Sequence, residues 1–257
     1  MSALADCLLR LEDVTLNFGG LCAIDKVSVS VNEGELIGLI GSNGAGKSSL
    51  YNCITGVNRV TSGRVFFRNE DISGLAPHQV AAKGLIRSFQ LVAVFPDLTC
   101  LENVMAGFHM VTRAGVLDAI FHTTLYKREV KECTEKGYKI LKKIGLEKNA
   151  HTLARKLSYG DRKRLDIGRA IATSPKLLML DEPAAGLNPA ERVSLADLVR
   201  QLNSDGHSLI VIEHDMKLVM GLVQRVLVLE RGKLIADGAP CDIQRNEKVI
   251  TAYLKKR

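Results

Sequence analysis

The chain has 257 residues, 46% of them hydrophobic and 5% aromatic, with a formal net charge of +7. That is enough apolar material for one large α/β domain, or for a core with a smaller attached subdomain, and no apolar run approaches the roughly 18 to 20 residues a membrane span needs. The basic excess favours anionic partners in general, but much of it is dispersed as over 127–148, the pattern of a solvated helix face, and a chain without Trp has little from which to build a base-stacking platform for nucleic acid.

Cys7, Cys22, Cys53, Cys100, Cys133 and Cys241 have no C-x-x-C spacing. This suits reduced thiols in a cytosolic protein and not a zinc site. The amino terminus lacks a basic segment followed by an apolar stretch, so secretion is not expected.

In chain order, Phe18-Gly19-Gly20 places a ring at a strand end before a turn. Phe18 there is either a core residue or a ring that stacks on a base. Val27, Val29 and Val31 alternate with polar residues, a period of two that predicts a half-buried antiparallel strand. The apolar run Leu36-Ile37-Gly38-Leu39-Ile40 is followed by Gly41-Ser42-Asn43-Gly44-Ala45-Gly46-Lys47-Ser48-Ser49 and a predicted helix over 49–55. Strand, G-x-x-x-x-G-K-[ST] loop and helix in succession form a phosphate-binding motif. Its glycines let backbone N–H groups converge on an anion, and the helix adds its positive end. Lys47 would reach the outer phosphates and Ser48 would offer its hydroxyl to magnesium, so the expected ligand is a magnesium-bound nucleoside triphosphate.

After Gly56 come a predicted strand at 64–68, a short helix opened by Pro77, and a strand at 86–90 whose Gln90, taken alone, is an ordinary loop glutamine. Thr99 and Glu102 form a capping box that starts a helix. Val130, Cys133, Gly137, Ile140 and Ile144 recur at helical spacing, with Gly145 as the stop. The stretch 107–126 fits no single element, and 91–156 as a whole reads as a helical subdomain inserted in the core. Ser158 and Asp161 cap the next helix. Leu177-Leu178-Met179-Leu180 predicts a parallel strand buried on both faces, ending in Asp181-Glu182, where open α/β sheets bind ligands. Asn188, Pro189 and Glu191 begin a helix that runs to Gly206. Leu209 to Ile212 is a further buried strand, finishing at Glu213-His214-Asp215. A hairpin is predicted around Glu230-Arg231-Gly232-Lys233, followed by a helical, basic tail.

These pieces in this order resemble the ATP-binding subunit of ABC transporters over essentially the whole chain, 1–257. The resemblance implies an α/β fold, a P-loop NTPase core of the ABC ATPase type with an antiparallel β subdomain and the inserted helical subdomain. It makes 41–49 the Walker A motif, Leu177 to Asp181 Walker B with Glu182 as the adjoining carboxylate, Leu157-Ser158-Tyr159-Gly160-Asp161 the signature, Gln90 the Q-loop and His214 the switch histidine. It implies ATP and Mg²⁺ as ligands. Gly41, Ser42, Asn43, Gly44, Ala45, Gly46, Lys47, Ser48 and Ser49 would bind nucleotide, with Phe18 on the adenine and Ser48, Gln90 and Asp181 at the metal. Glu182, His214 and Gln90 would serve hydrolysis. Ser158 and Gly160 would reach ATP held by a second ATPase subunit, a copy or a paralogue. Three positions depart from the family pattern: Tyr159 replaces a glycine, Asp161 a glutamine, and Asn188 an aspartate.

Segments 84–90, 98–104, 157–160 and 181–189 narrow the resemblance to the ATPases of branched-chain amino-acid importers. These imply a peripheral place on the cytoplasmic face of the bacterial inner membrane, transmembrane permease subunits and, indirectly, a periplasmic solute-binding protein. The close rival reading is an ABC ATPase for another cargo, including lipopolysaccharide for export or urea for uptake. A rival of another class is a non-transport ABC clamp on DNA or ribosomes, whose long coiled coils or tandem domains are not seen here.

Overall fold

A computed structural model, which describes residues 7–88, 93–110, 118, 121 and 123–254, sets the alternation of Val27, Val29 and Val31 in a strand much longer than that pattern. That strand, β2 (Leu21–Asn32), pairs antiparallel with β1 (Cys7–Phe18), and β1 pairs on its other side with β4 (Ser62–Phe67), itself next to β5 (Glu70–Asp71). The result is a four-stranded antiparallel sheet of order β2-β1-β4-β5.

A second sheet has the order β10-β9-β3-β8-β7-β6. Its strands are β3 (Leu36–Gly41), β6 (Leu85–Arg87), β7 (Leu177–Asp181), β8 (Ser208–Ile212), β9 (Arg225–Glu230) and β10 (Lys233–Gly238). All neighbours are parallel except β9 and β10, the expected hairpin. β3 and β8 are buried at every position, which is why they read as unbroken apolar runs without alternation. The parallel arrangement sets the carboxyl ends of β3, β7 and β8 side by side, where a ligand can meet all three.

Two compact units divide the chain: Met1–Arg87, Lys176–Ala184 and Val199–Arg257 in one, Ser88–Pro175 and Ala185–Leu198 in the other. Both sheets belong to the first. Its core joins Leu9, Leu11 and Val65 of the antiparallel sheet to Leu39, Met179 and Ile212 of the parallel one, with Leu50 and Tyr51 from α1 (Lys47–Ile54). Each such buried side chain contributes about 1.5–3 kcal/mol relative to exposure. The helix α1 starts two residues earlier than the sequence pattern predicts, because the first helical turn is the phosphate loop's own Lys47 and Ser48. A short α2 (Pro77–Ala82) follows, opened by its proline.

The second unit holds α3 (Cys100–Gly107), α4 (Thr124–Lys143) and α5 (Tyr159–Ala172). Thr99 and Glu102 form the expected capping box. The helix α4 begins six residues before Val130, capped by Thr123, because its first turns carry no buried residue to mark them. Close packing rests on small residues. A Cβ on Gly137 would stand 2.8 Å from Leu101 Cδ1, and one on Gly168 2.7 Å from Ile144 Cδ1. The buried Asn103 accepts from Phe95 N (2.8 Å) and donates to the carbonyls of Phe95 (3.0 Å) and Thr99 (2.9 Å), pinning the chain ahead of α3.

The segment 91–156, read from sequence as inserted, falls mostly in this second unit's described residues, which extend further on both sides. The helix α6 (Pro189–Ser204) follows, then α7 (Met216–Leu222). The described part of the tail is helical, in two short helices, α8 (Pro240–Arg245) and α9 (Glu247–Leu254).

Candidate active site

The loop between β3 and α1 is shaped by its own backbone. Ala45 N donates to Ser42 O (3.0 Å), and Gly44 and Gly46 sit at φ +79° and +103°. A Cβ on Gly46 would stand 2.7 Å from Ala23 O, so both the conformation and the space demand glycine. The hairpin turn braces the loop from outside: Gly232 N donates to Ala45 O (2.8 Å), and Gly232 O accepts from Asp25 N (2.9 Å). Lys47 is 7% exposed, and its ammonium donates to the carbonyls of Gly41 (2.7 Å) and Ser42 (3.2 Å). Burial holds that ammonium below the ordinary lysine range, while Glu182, Asp181 and Glu213 act in the opposite direction.

This loop forms one wall of a cavity of about 610 Å³, within the range of small-molecule sites. Asn43, Gly44, Ala45, Gly46, Lys47, Ser48 and Ser49 line it together with Asp181, Glu182 and Phe18. Phe18 is 52% exposed, so the core reading of its ring does not hold and a free face is available for stacking. Gly41 and Ser42 contribute through the carbonyls that hold Lys47.

At the opposite rim, Asp181 ends β7 in register with Ile212 of β8. Glu182 follows at φ 45°, its amide bonded to Ile212 O (2.9 Å). His214 Nδ1 is 3.7 Å from Glu182 Oε1 and 3.9 Å from Glu213 Oε2. The Glu213 carboxyl is pushed up by burial, against the Ala184 amide that it accepts from.

The signature residues lie in the second unit. Ser158 caps α5 by accepting from Asp161 N (3.1 Å). Tyr159, in place of glycine, packs on Gly186, where a Cβ would stand 3.0 Å from its ring. A Cβ on Gly160 would meet Glu191 Oε1 at 2.6 Å. Asn188 and Glu191 cap α6 reciprocally, each amide donating to the other's side chain at 2.9 Å. Gln90 lies outside the described residues. Leu21, Cys22, Ala23, Ile212, Arg231 and Gly232 line the cavity without having been read as site residues from the sequence. They come from β2, β8 and the β9–β10 turn, and local patterns that mark the strand at Ile212 and the hairpin at Arg231 and Gly232 do not place them at the cavity.

An amide cradle with a buried lysine, facing carboxylates at the carboxyl end of a parallel strand, defines a phosphate-loop nucleotide-binding protein. The donor set also fits a hard cation, since Ser48 and Asp181 offer oxygen ligands to the same cavity. Comparison with known proteins gives the family. A model described as ABC transporter matches residues 24–185. The chain is 40% identical to the high-affinity branched-chain amino acid transport ATP-binding protein LivG of Salmonella typhimurium, over 96% of this chain and 97% of that protein. It is equally similar, with the same coverage, to the corresponding protein BraF of Pseudomonas aeruginosa. Among solved structures, the ADP conformation of an ATP-binding cassette of an ABC transporter superposes with a TM-score of 0.84 at 33% identity, covering 97% of this chain and 99% of that one. The chain belongs to the ABC transporter family, and it is an ATP-binding and ATP-hydrolysing protein of that family. Among the described residues no helix is long and apolar enough to cross a membrane.

Proposed function

We propose that this chain powers an importer for branched-chain or other hydrophobic amino acids, seated peripherally on the cytoplasmic face of a bacterial inner membrane. The observation that carries it is the single cavity in which the 43–49 cradle faces Asp181 and Glu182, in a chain 40% identical to LivG.

In this reading Phe18 stacks on the adenine, the cradle amides and the α1 amino terminus receive the phosphates, and Lys47 leaves its loop carbonyls for the outer phosphates. Ser48, Asp181 and Gln90 are the residues that would hold Mg²⁺, which when bound neutralises charge on the β- and γ-phosphate oxygens. Glu182 takes a proton from the attacking water as its oxygen bonds to the γ-phosphorus. The bond to the bridging oxygen breaks, and ADP leaves with the electron pair. General-base help of this kind is worth roughly 10² to 10⁴ in rate. His214 donates toward the γ-phosphate, where charge develops.

Ser158 and the Gly160 amide, at the positive end of α5, serve a nucleotide held by a second ATPase subunit, a copy or a paralogue. Hydrolysis removes those contacts and shifts the pair toward an open state. Permease subunits, supplied by a periplasmic solute-binding protein, are the partners on which that shift acts. The test is uptake. Deleting this chain should abolish saturable leucine import, and restoring it with a Lys47→Ala change should not rescue; leucine import that persists after deletion rejects the cargo.

A further inference from the structure

Glu213 is the least exposed charged residue among those described, at 1%, and no step above uses it. Its surroundings give it a definite task. Glu182 holds φ 45°, a conformation that costs a non-glycine residue about 1–3 kcal/mol and lasts only where neighbours enforce it. Two bonds enforce it here. Glu182 N donates to Ile212 O (2.9 Å), and two residues later Ala184 N donates to Glu213 Oε1 (2.8 Å). The acceptors are the last residue of β8 and the residue after it, so the turn carrying Glu182 is fastened at two points to one short stretch of chain. Glu213 N in turn donates to Leu39 O (3.2 Å) in β3, the strand that leads into the phosphate loop. Ala184 is 3% exposed, so its amide has no ready solvent substitute for that carboxylate. Glu213 Oε2 faces His214 Nδ1 at 3.9 Å, on the side from which the imidazole also faces Glu182.

We propose that Glu213 is a positioning residue for the hydrolytic step: it clamps the 182–184 turn through the Ala184 amide and thereby aims the Glu182 carboxylate. The inference rests on Glu182 acting as the base. What the clamp requires is an acceptor oxygen in this position, which a glutamine also supplies.

ATPase rates and affinity for a non-hydrolysable ATP analogue, measured on wild type, Glu182→Gln, Glu213→Gln and Glu213→Ala, separate the possibilities. Releasing the turn in Glu213→Ala should lower kcat about 10- to 100-fold, the scale of a misplacement near 1 Å, while analogue affinity stays within about threefold. Glu213→Gln should turn over close to wild type, and Glu182→Gln should bind analogue without turnover. A fully active Glu182→Gln removes the premise itself. With Glu182→Gln inactive, the Glu213 clamp alone is overturned by any of three results: a wild-type rate in Glu213→Ala, a Glu213→Gln as slow as Glu213→Ala, or a Glu213→Ala that loses analogue affinity in step with kcat.

Discussion

Glu191 makes Gly160 irreplaceable at the level of single atoms. Its Oε2 accepts from Asn188 N at 2.9 Å, which holds the carboxylate, and its Oε1 would lie 2.6 Å from a Cβ added at Gly160. A free side-chain end would swing away from that Cβ; one anchored in a helix cap cannot do so without breaking the cap. Gly160→Ala should therefore destabilise the protein by about 1–3 kcal/mol, as overpacking does. Glu191→Ala should cost about 1 kcal/mol through the lost cap. Because the second change removes the obstacle to the first, the double variant should be more stable than the sum of the two predicts. Urea unfolding of the four proteins checks this, and strict additivity would mean that Glu191 is not what Gly160 meets. The Asn188 departure has a local account in the same cap, since its side-chain oxygen accepts from Glu191 N as an aspartate would.

Among elements, the β9–β10 hairpin has the least obvious part in the site. Its Gly232, at φ +78°, bonds to Ala45 in the phosphate loop and to Asp25 in β2, and a Cβ there would stand 2.6 Å from Ala23 O. Gly232→Ala should strain the turn by about 1–3 kcal/mol. Where that strain is relieved by drawing the turn off Ala45, nucleotide affinity falls by up to about tenfold per 1.4 kcal/mol. Titration calorimetry with ATP analogue measures it; unchanged affinity in a folded Gly232→Ala protein denies the hairpin its bracing role. The sequence shows which residues lie close along the chain, and so 41–49 and Asp181-Glu182 were readable from spacing. It does not show that β9 lies beside β3, and so Arg231 and Gly232 could not be placed at the cavity in advance. Of the strand β1 the sequence marked only the end at Phe18, for another reason. Its alternation is interrupted where Asp13 takes φ 44° and the register shifts between Leu11 and Val14, so Leu9, Leu11, Val14 and Leu16 are all buried without a common period. The tail's two helices, joined at Asn246, likewise read as one basic stretch.

For the whole molecule, the cradle and Ser158 belong to different units of the chain, and the proposed site draws one from each of two subunits. Each subunit carries +7, so association of two copies works against like charge until an anionic nucleotide lies between them. In that proposed arrangement ATP would favour the pair by binding it better than the separated subunits, and hydrolysis would end that advantage. Glu182→Gln keeps the side chain's volume and its acceptor oxygen but removes the base. The variant should bind ATP and stay paired, so light scattering should register a rise from the 28.1 kDa monomer toward twice that mass on adding ATP and magnesium, and no rise without nucleotide. Lys47→Ala should stay monomeric under both conditions. If the two-subunit site forms only with a paralogue, neither variant will pair alone, and the Glu182→Gln chain will do so only when the sibling subunit is supplied; a monomer in the sibling's presence as well leaves Ser158 without a nucleotide to reach.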